Sequence, residues 1–392
     1  MATLRGMLRV LLWFGQFLVV APSVYESVIS LWGLRTPPPI APSPGRTLVR
    51  VIVAAHDEEA VIEGIAGDLA GQDYPPELLE SWVVADRCTD DTAVKASSFV
   101  HTAERFDGGG GKGGAIAWLL ADRPLGDDEV LVVLDADNRI DPQFISSVAA
   151  AFEDGHHAIQ TYLDVANPDS SPVTTASALT YWASNRSVQL ARSNLGWSCD
   201  LGGTGMAITS HALAAVGGFT DELTEDLSLN IRLNLAGYRT HWLHHTRVND
   251  EKPVDANTAV HQRARWARGK SDVRRAYGPI LLRRAIGDRQ PALFDLWIRL
   301  YNPGRSLLAL LLVVLTVLAF VSPDSGLWSG WLLGMITIVV LALPLVFLVI
   351  DRVPTRYLIR YPYVVVIALM WVPVRVAGRF VGSWRRTPHG GA

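Results

Sequence analysis

The chain has 392 residues, of which 49% are hydrophobic and only 19% charged, with a formal net charge of −3. That balance excludes a disordered or collagen-like chain, and the charge argues against a general nucleic-acid binder, which would be basic. Two cysteines, Cys88 and Cys199, cannot build a disulfide framework and fit a reducing compartment, and the length predicts more than one folding unit.

The first apolar run is Val10 to Ala21, continuing through Val24, Val28, Ile29, Leu31 and Trp32. Arg5 and Arg9 before it and Ala21-Pro22-Ser23 after it give it the outline of a signal peptide. Its length and the lack of a clean small-x-small site favour a retained transmembrane anchor over residues 1–34. Prolines from Pro37 to Pro44 then mark residues 35–47 as an extended linker separating anchor from domain.

Residues 48–269 read as an α/β domain. Leu48–Ala55, Ser81–Ala85 and Val130–Leu134 are short runs rich in Val, Ile and Leu, separated by helical stretches, as in a parallel sheet buried on both faces. Ligands of such sheets bind at the carboxyl ends of the strands. The first run leads into His56-Asp57-Glu58-Glu59, whose acids would also complement a helix N-terminus. The second ends at Asp86, placed to hydrogen-bond a base or ribose, with Thr89 and Asp90 available to cap the next helix. Cys88 beside them reads as a small buried residue. Gly108 to Gly114, interrupted by Lys112, is a loop whose backbone can approach a phosphate and whose lysine can neutralise it, although its spacing is not that of a Walker loop.

The third run ends in Asp135-Ala136-Asp137. Side chains at i and i+2 of an extended chain point the same way, so the two carboxylates can converge on one hard cation, Mg²⁺ or Mn²⁺. Further on come Thr224-Glu225-Asp226 and Gln262-Arg263-Ala264-Arg265-Trp266. Gln262, Arg265 and Trp266 fall at i, i+3 and i+4, on one helical face, where an indole offers a flat platform for a sugar ring.

From Ala267 to Arg289 basic residues outnumber acidic ones and alternate with Val273, Tyr277, Ile280, Leu281, Leu282 and Ile286. Residues 270–304 are therefore expected as amphipathic helices on an anionic membrane surface. Residues 305–384 hold two to three transmembrane helices: Leu307–Val321, the uncharged Leu327–Ile350, and Tyr361–Val374, whose continuation is interrupted by Arg375 and Arg379. Residues 385–392 form a tail. The basic turn Arg352 to Arg360 should face the cytosol; against the positive-inside preference, Arg5 and Arg9 would lie outside if the first segment spans once, as would Arg385 and Arg386 if the last segment spans fully.

Taken in order, the Asp86 region, Lys112-Gly113, Asp135-Ala136-Asp137, Thr224-Glu225-Asp226 and Gln262-x-x-Arg265-Trp266 resemble membrane-bound family 2 glycosyltransferases, relatives of the cellulose, chitin-oligosaccharide and hyaluronan synthases. The resemblance runs from about Arg50 to Gly269. It implies a GT-A, Rossmann-like nucleotide-sugar domain with an N-terminal anchor and C-terminal transmembrane helices, and inverting transfer from a nucleotide sugar of the UDP-sugar class to a growing saccharide at the membrane; the alternatives are transfer of one sugar to a lipid carrier or glycolipid, and a degenerate nucleotide-binding membrane scaffold without turnover. It implies donor contacts at His56, Glu58, Asp86, Lys112, Asp135 and Arg265, metal ligands at Asp135 and Asp137, Asp226 as general base, and acceptor contacts at Glu225, Gln262 and Trp266. The expected place is an inner or plasma membrane with the catalytic domain cytosolic. Two departures bear on the polymer: Ala54-Ala55-His56 stands where proline and asparagine are frequent, and Leu201-Gly202-Gly203-Thr204-Gly205 replaces a Phe-Cys-Gly-Ser-like segment. No cyclic-dinucleotide domain follows the spans.

Overall fold

A computed structural model describes residues 2–323 and 326–367. Its centre is an eight-stranded sheet in the order β3-β2-β1-β4-β7-β6-β8-β5. The strands are β1 Val49–Ala55, β2 Leu79–Asp86, β3 His101–Arg105, β4 Val130–Asp135, β5 Arg139–Ile140, β6 Ala158–Val165, β7 Met206–Thr209 and β8 Thr240–Asp250. The first four pair in parallel, as the apolar runs of β1, β2 and β4 predict; β3, His-Thr-Ala-Glu-Arg, carries no such run and was not expected from the sequence. The second half departs from the all-parallel expectation, because β7 runs antiparallel to both β4 and β6.

Along β1 the side chains alternate between two cores. Val51 and Val53 pack under Ile62, Ile65 and Leu69 of α2 (Ile62–Ala70) and Phe144, Ile145 and Val148 of a later helix, whereas Ile52 faces Ile116 and Leu119 on the other side. Those two further helices are α3, Lys112–Asp122, and α4, Phe144–Glu153. α5, Pro172–Ser184, runs into a π-helical turn over Asn185–Leu190, and α6 is Glu225–Leu235.

One helix, α7, spans Ala256–Gly287 and crosses the expected boundary at residue 270 without a break. It folds back on α8, Pro291–Tyr301. Here the surface-helix expectation is corrected in part. Val273 and Leu281 of α7 pack against Leu293, Leu296 and Leu300 of α8 and Ile231 of α6, so this apolar face is covered by protein. Ile280 and Ile286 remain exposed.

At the ends of the chain lie α1 (Ala2–Ser30), α9 (Arg305–Val321) and α10 (Gly330–Ile350). Val10–Leu34 and α10 are long and apolar enough to cross a membrane; α9 reaches that length only jointly with α8, across a 71° bend. The part of the third expected span beyond residue 367, with Pro373, Arg375, Arg379, Arg385 and Arg386, lies outside the described residues.

These helices are bolted to the α/β domain by buried charges. Glu26 of α1 meets Arg192 at 3.2 Å and Arg305 at 2.6 Å, and Arg192 also holds Asp295 of α8 at 2.9 Å. Arg186 of the π turn pairs with Asp351 just after α10. The proline segment is extended but strapped down: Arg186 donates to the Gly33 carbonyl and Thr36 hydroxyl, and Ser43 donates through N–H and hydroxyl to Ser146 and Glu153.

Candidate active site

Strand register sets the site. Ala55 pairs with Ala85 and Ala54 with Asp135, so β1, β2 and β4 end at one level and release their polar residues side by side. His56 contacts the Asp86 carbonyl through Nδ1 at 2.6 Å. The loops after β1 and β2 are stitched together, Thr89 N–H donating to Asp57 Oδ1 at 2.6 Å and Glu58 N–H to Thr92 Oγ1 at 2.8 Å. The acids of the first loop thus brace the second loop more than they complement a helix. Burial raises the Cys88 thiol above its ordinary range, in keeping with a packing role.

Asp86 is only 5% exposed, and its carboxylate is gripped by Arg87 at 2.7 Å and Arg105 at 3.4 Å. The same two arginines bind the glycine loop through its carbonyls, Arg87 at Gly110 and Arg105 at Gly109. Asp86 is therefore the anchor that shapes the loop.

That loop delivers Lys112, the first residue of α3, to the centre of the site. The Lys112 ammonium is ion-paired with Asp135 and donates to the Gly203 carbonyl at 2.8 Å. Gly203 has φ of +80°, a conformation that suits glycine, and a Cβ there would stand 3.3 Å from Asp226 Oδ2. Lys112, Asp135, Gly203 and Asp226, spread over more than a hundred residues of sequence, thus form one contiguous cluster. Glu225 and Asp226 are the first two residues of α6, between β7 and β8. Burial raises the carboxyl groups of both above the ordinary range, with the Asp226 charge adding to the rise at Glu225.

Asp135 and Asp137 suit a hard divalent cation in donor type, but the same-face strand geometry expected of them is corrected: β4 ends at Asp135, and Asp137 lies in a turn closed by Asn138 N–H on the Asp135 carbonyl at 3.2 Å. Asn138 touches both, its Oδ1 accepting from Asp135 N–H at 2.9 Å and its Nδ2 donating to Asp137 at 3.3 Å. Lys112 is already ion-paired with Asp135, so a cation here would share that carboxylate with the lysine. Two carboxylates are the protein share usual where phosphates complete the coordination. A second acidic group, Asp57, Cys88 and Asp90, is also close enough to hold an ion, but Asp57 and Asp90 are already spent on Thr89 and Thr92.

Gln262, Arg265, Trp266 and Gly269 lie at i, i+3, i+4 and i+7 of α7, on one stripe. The contact joining that stripe to the acidic cluster is Gly269 against Thr224, the residue before Glu225. Trp266 is 37% exposed, which leaves its ring available for stacking.

The sequence reading missed several supporting groups. Thr204 donates its hydroxyl to Asn138, and Gln160 holds the Gly202 N–H and the Thr204 carbonyl. Half-buried Asp250, ion-paired with Lys252, stands 3.4 Å from Asn138 Nδ2, and desolvation raises its carboxyl group. Only the glycines at 202, 203 and 205 signalled this layer.

A family model described as "Glycosyltransferase like family 2" matches residues 44–269, more than half of the chain. The chain belongs to this family. Similar members include the beta-monoglucosyldiacylglycerol synthases of Nostoc sp., 29% identical over 255 residues (62% of this chain, 53% of that protein), and of Synechocystis sp., 31% identical over 284 residues (65% and 56%). The chain spans about half the length of these curated relatives. Among solved structures, a mannosyltransferase from Pyrobaculum calidifontis in complex with GDP-Man and Mn²⁺ superposes with a TM-score of 0.54 at 20% identity, covering 88% of this chain and 99% of that one. The fold of this family 2 member is GT-A, with apolar helices at both ends.

Proposed function

We propose that the protein moves one sugar from a nucleotide-diphosphate donor, of the UDP-sugar class, to the hydroxyl of a membrane lipid, with inversion at the anomeric carbon. The observation that carries this reading is the Lys112–Asp135–Gly203–Asp226 cluster at the level ends of β1, β2 and β4. His56, Glu58 and the Asp86-anchored loop would receive the nucleoside. Lys112 and Arg265 would offset charge on the departing diphosphate, the electrostatic contribution that usually weighs most in such transfers. A divalent ion, Mg²⁺ or Mn²⁺, held by Asp135 and Asp137 would add to that stabilisation.

Asp226 accepts the acceptor hydroxyl's proton as the oxygen attacks the anomeric carbon. The anomeric C–O bond to the diphosphate breaks, its electrons leaving with the nucleoside diphosphate. A base raised above the ordinary carboxylate range is better matched to a hydroxyl near neutral pH. Glu225, Gln262 and Trp266 would line the acceptor side.

A lipid acceptor is favoured because a chain of ion pairs, Asp200–Arg299–Asp295–Arg192–Glu26, links the segment just before Gly203 to the apolar α1, and because relatives are named for diacylglycerol glucosylation. Nucleotide sugars are cytosolic, so the domain would face the cytosol, with Arg352, Arg356 and Arg360 on that side. A growing saccharide is the second reading, supported by the exposed Trp266 platform. The test supplies purified protein in nanodiscs with labelled nucleotide sugars, Mg²⁺ or Mn²⁺, and either diacylglycerol or oligosaccharide. One sugar added to lipid supports the proposal; chains of many sugars would favour the second reading, and no transfer that depends on Asp226 would overturn both.

A further inference from the structure

Lys252, two residues past the end of β8, places an ammonium group where lysine seldom goes: its side chain is only 8% exposed. Three contacts hold it. The ammonium is ion-paired with Asp250 and stands 4.0 Å from the ring centroid of Tyr181 on α5. Asn167 fixes the backbone, accepting from Lys252 N–H at 2.9 Å and donating to its carbonyl at 2.8 Å.

This pair backs onto the acidic turn. Asn138 Nδ2 donates to Asp250 at 3.4 Å and to Asp137 at 3.3 Å. Asn138 is fully buried and accepts from Asp135 N–H and from the Thr204 hydroxyl, so one side chain touches all three aspartates. Burial alone would lower the pKa of Lys252, but the Asp250 carboxylate raises it and Asp137 adds to the rise, so the ammonium stays charged. Lys112 is the second lysine of the group, ion-paired with Asp135. Three carboxylates, Asp135, Asp137 and Asp250, therefore face two ammonium groups, which leaves one net negative charge.

A desolvated ion pair is weak support for a fold, since a hydrophobic pair of equal volume often does as well. What this pair supplies is a positive charge fixed near Asp137, which opposes a second cation there. Divalent ions held by one or two carboxylates take the rest of their coordination from substrate phosphates and water.

We infer that Lys252 is a built-in counter-charge, a positioning residue that acts through Asp250 and Asn138 on the Asp135–Asp137 turn and keeps it from retaining a divalent ion until the donor's diphosphate adds negative charge. Metal and donor then load together. The inference rests on the metal reading of Asp135 and Asp137 and adds why the ion waits for the nucleotide.

Mn²⁺ titrations of the full chain in nanodiscs, followed by electron paramagnetic resonance, read the site without turnover. In the wild type, UDP or GDP should tighten Mn²⁺ binding about tenfold or more. Lys252→Met removes the counter-charge and should tighten Mn²⁺ binding without nucleotide about tenfold, which narrows the effect of UDP or GDP. Asp250→Asn removes a negative charge and frees Lys252 to turn toward Asp137, and should weaken binding about tenfold. The double variant Lys252→Met/Asp250→Asn restores the charge balance and should return the Kd to within about threefold of wild type.

A merely structural pair gives a different pattern, because loss of either partner disturbs Asn138 and weakens Mn²⁺ in both single variants. That pattern, unchanged affinity in both, or a wild-type Kd indifferent to both nucleotides overturns the inference. If Lys252→Met does not fold, Asp250→Asn and the double variant decide it, since anything but weakening in the first and recovery in the second counts against the counter-charge. If Asp137→Asn leaves the wild-type Mn²⁺ affinity unchanged, the metal reading itself fails.

Discussion

Gly269 of α7 and Thr224, the residue before Glu225, are in backbone-close contact: a methyl added at Gly269 would stand 2.5 Å from Thr224 Cγ2 and 2.7 Å from its Oγ1. Helix propensity alone makes Gly→Ala in mid-helix stabilising by about 1 kcal/mol. The contact reverses the expectation for activity. Gly269→Ala should push the Arg265–Trp266 stripe off α6 and lower kcat/KM by about 10–100-fold, since displacements near 1 Å have effects of that order. Adding Thr224→Ala removes both clashing atoms and should restore much of the loss. Steady-state kinetics of the two variants decide it; a fully active single variant would mean the contact does not set the stripe.

Asp226 should govern the acid limb of the pH profile. Its folded-state pKa is raised by burial, so at a given pH below neutral more of it is protonated than for an ordinary aspartate near 3.9. kcat/KM should therefore climb with pH and reach its plateau later than an exposed carboxylate would allow. Asp226→Asn should lose about 10³-fold or more in kcat with donor binding retained, on the scale of losing a general base. Donor titration and initial rates separate the two readouts.

Lys112 lowers the pKa of both Glu225 and Asp226 through its positive charge. Lys112→Gln removes that influence, so the acid limb should move to higher pH, the sign opposite to that for loss of a neighbouring carboxylate. The same change removes a cation that would face the departing diphosphate, and kcat should fall by about 10²-fold, the scale found for single oxyanion donors. An unmoved acid limb would show that Lys112 does not act on the acid pair.

Arg192 is fully buried between Glu26 and Asp295, both also buried. Removing one partner from a buried ion pair costs about 3–5 kcal/mol, because the other charge stays desolvated. Arg192→Met should thus release α1 and α8 from the domain, seen as faster proteolysis in the 35–47 segment and a lower unfolding temperature. Arg192→Lys should rescue poorly, since an ammonium cannot reproduce the two-sided guanidinium contacts.

Much of the site was legible in the sequence because its chemistry sits where strands end. Asp86, Asp135 and Asp137 each follow an apolar run whose length and composition mark a buried strand, and Gln262, Arg265 and Trp266 carry their shared face in their spacing. Asp250 and Lys252 were missed because β8, Thr240–Asp250, contains three histidines, an arginine and an asparagine and lacks the apolar run of a buried strand. Its burial comes from pairing beside β6, a long-range fact. Pro37 to Pro44 correctly signalled extended backbone, but composition carries no information on what an extended segment is tied to.

By itself, then, the sequence determined the long apolar helices, strands β1, β2 and β4 and the acidic strand ends, because length, periodicity and charge are local properties of the chain. Tertiary structure decided the rest. It turned Asp86 from an isolated strand-end carboxylate into the anchor of the glycine loop and set Lys112 against Asp135. It brought Gly203 beside Asp226, and locked the apolar α1 to the α/β domain through Glu26 and Arg192. Each of these depends on side chains far apart in sequence sharing one low-dielectric space, where unpaired charge is costly. The surplus of apolar residues marked the terminal helices; only tertiary packing tied α1 and α10 to the α/β domain, through Glu26 with Arg192 and Asp351 with Arg186.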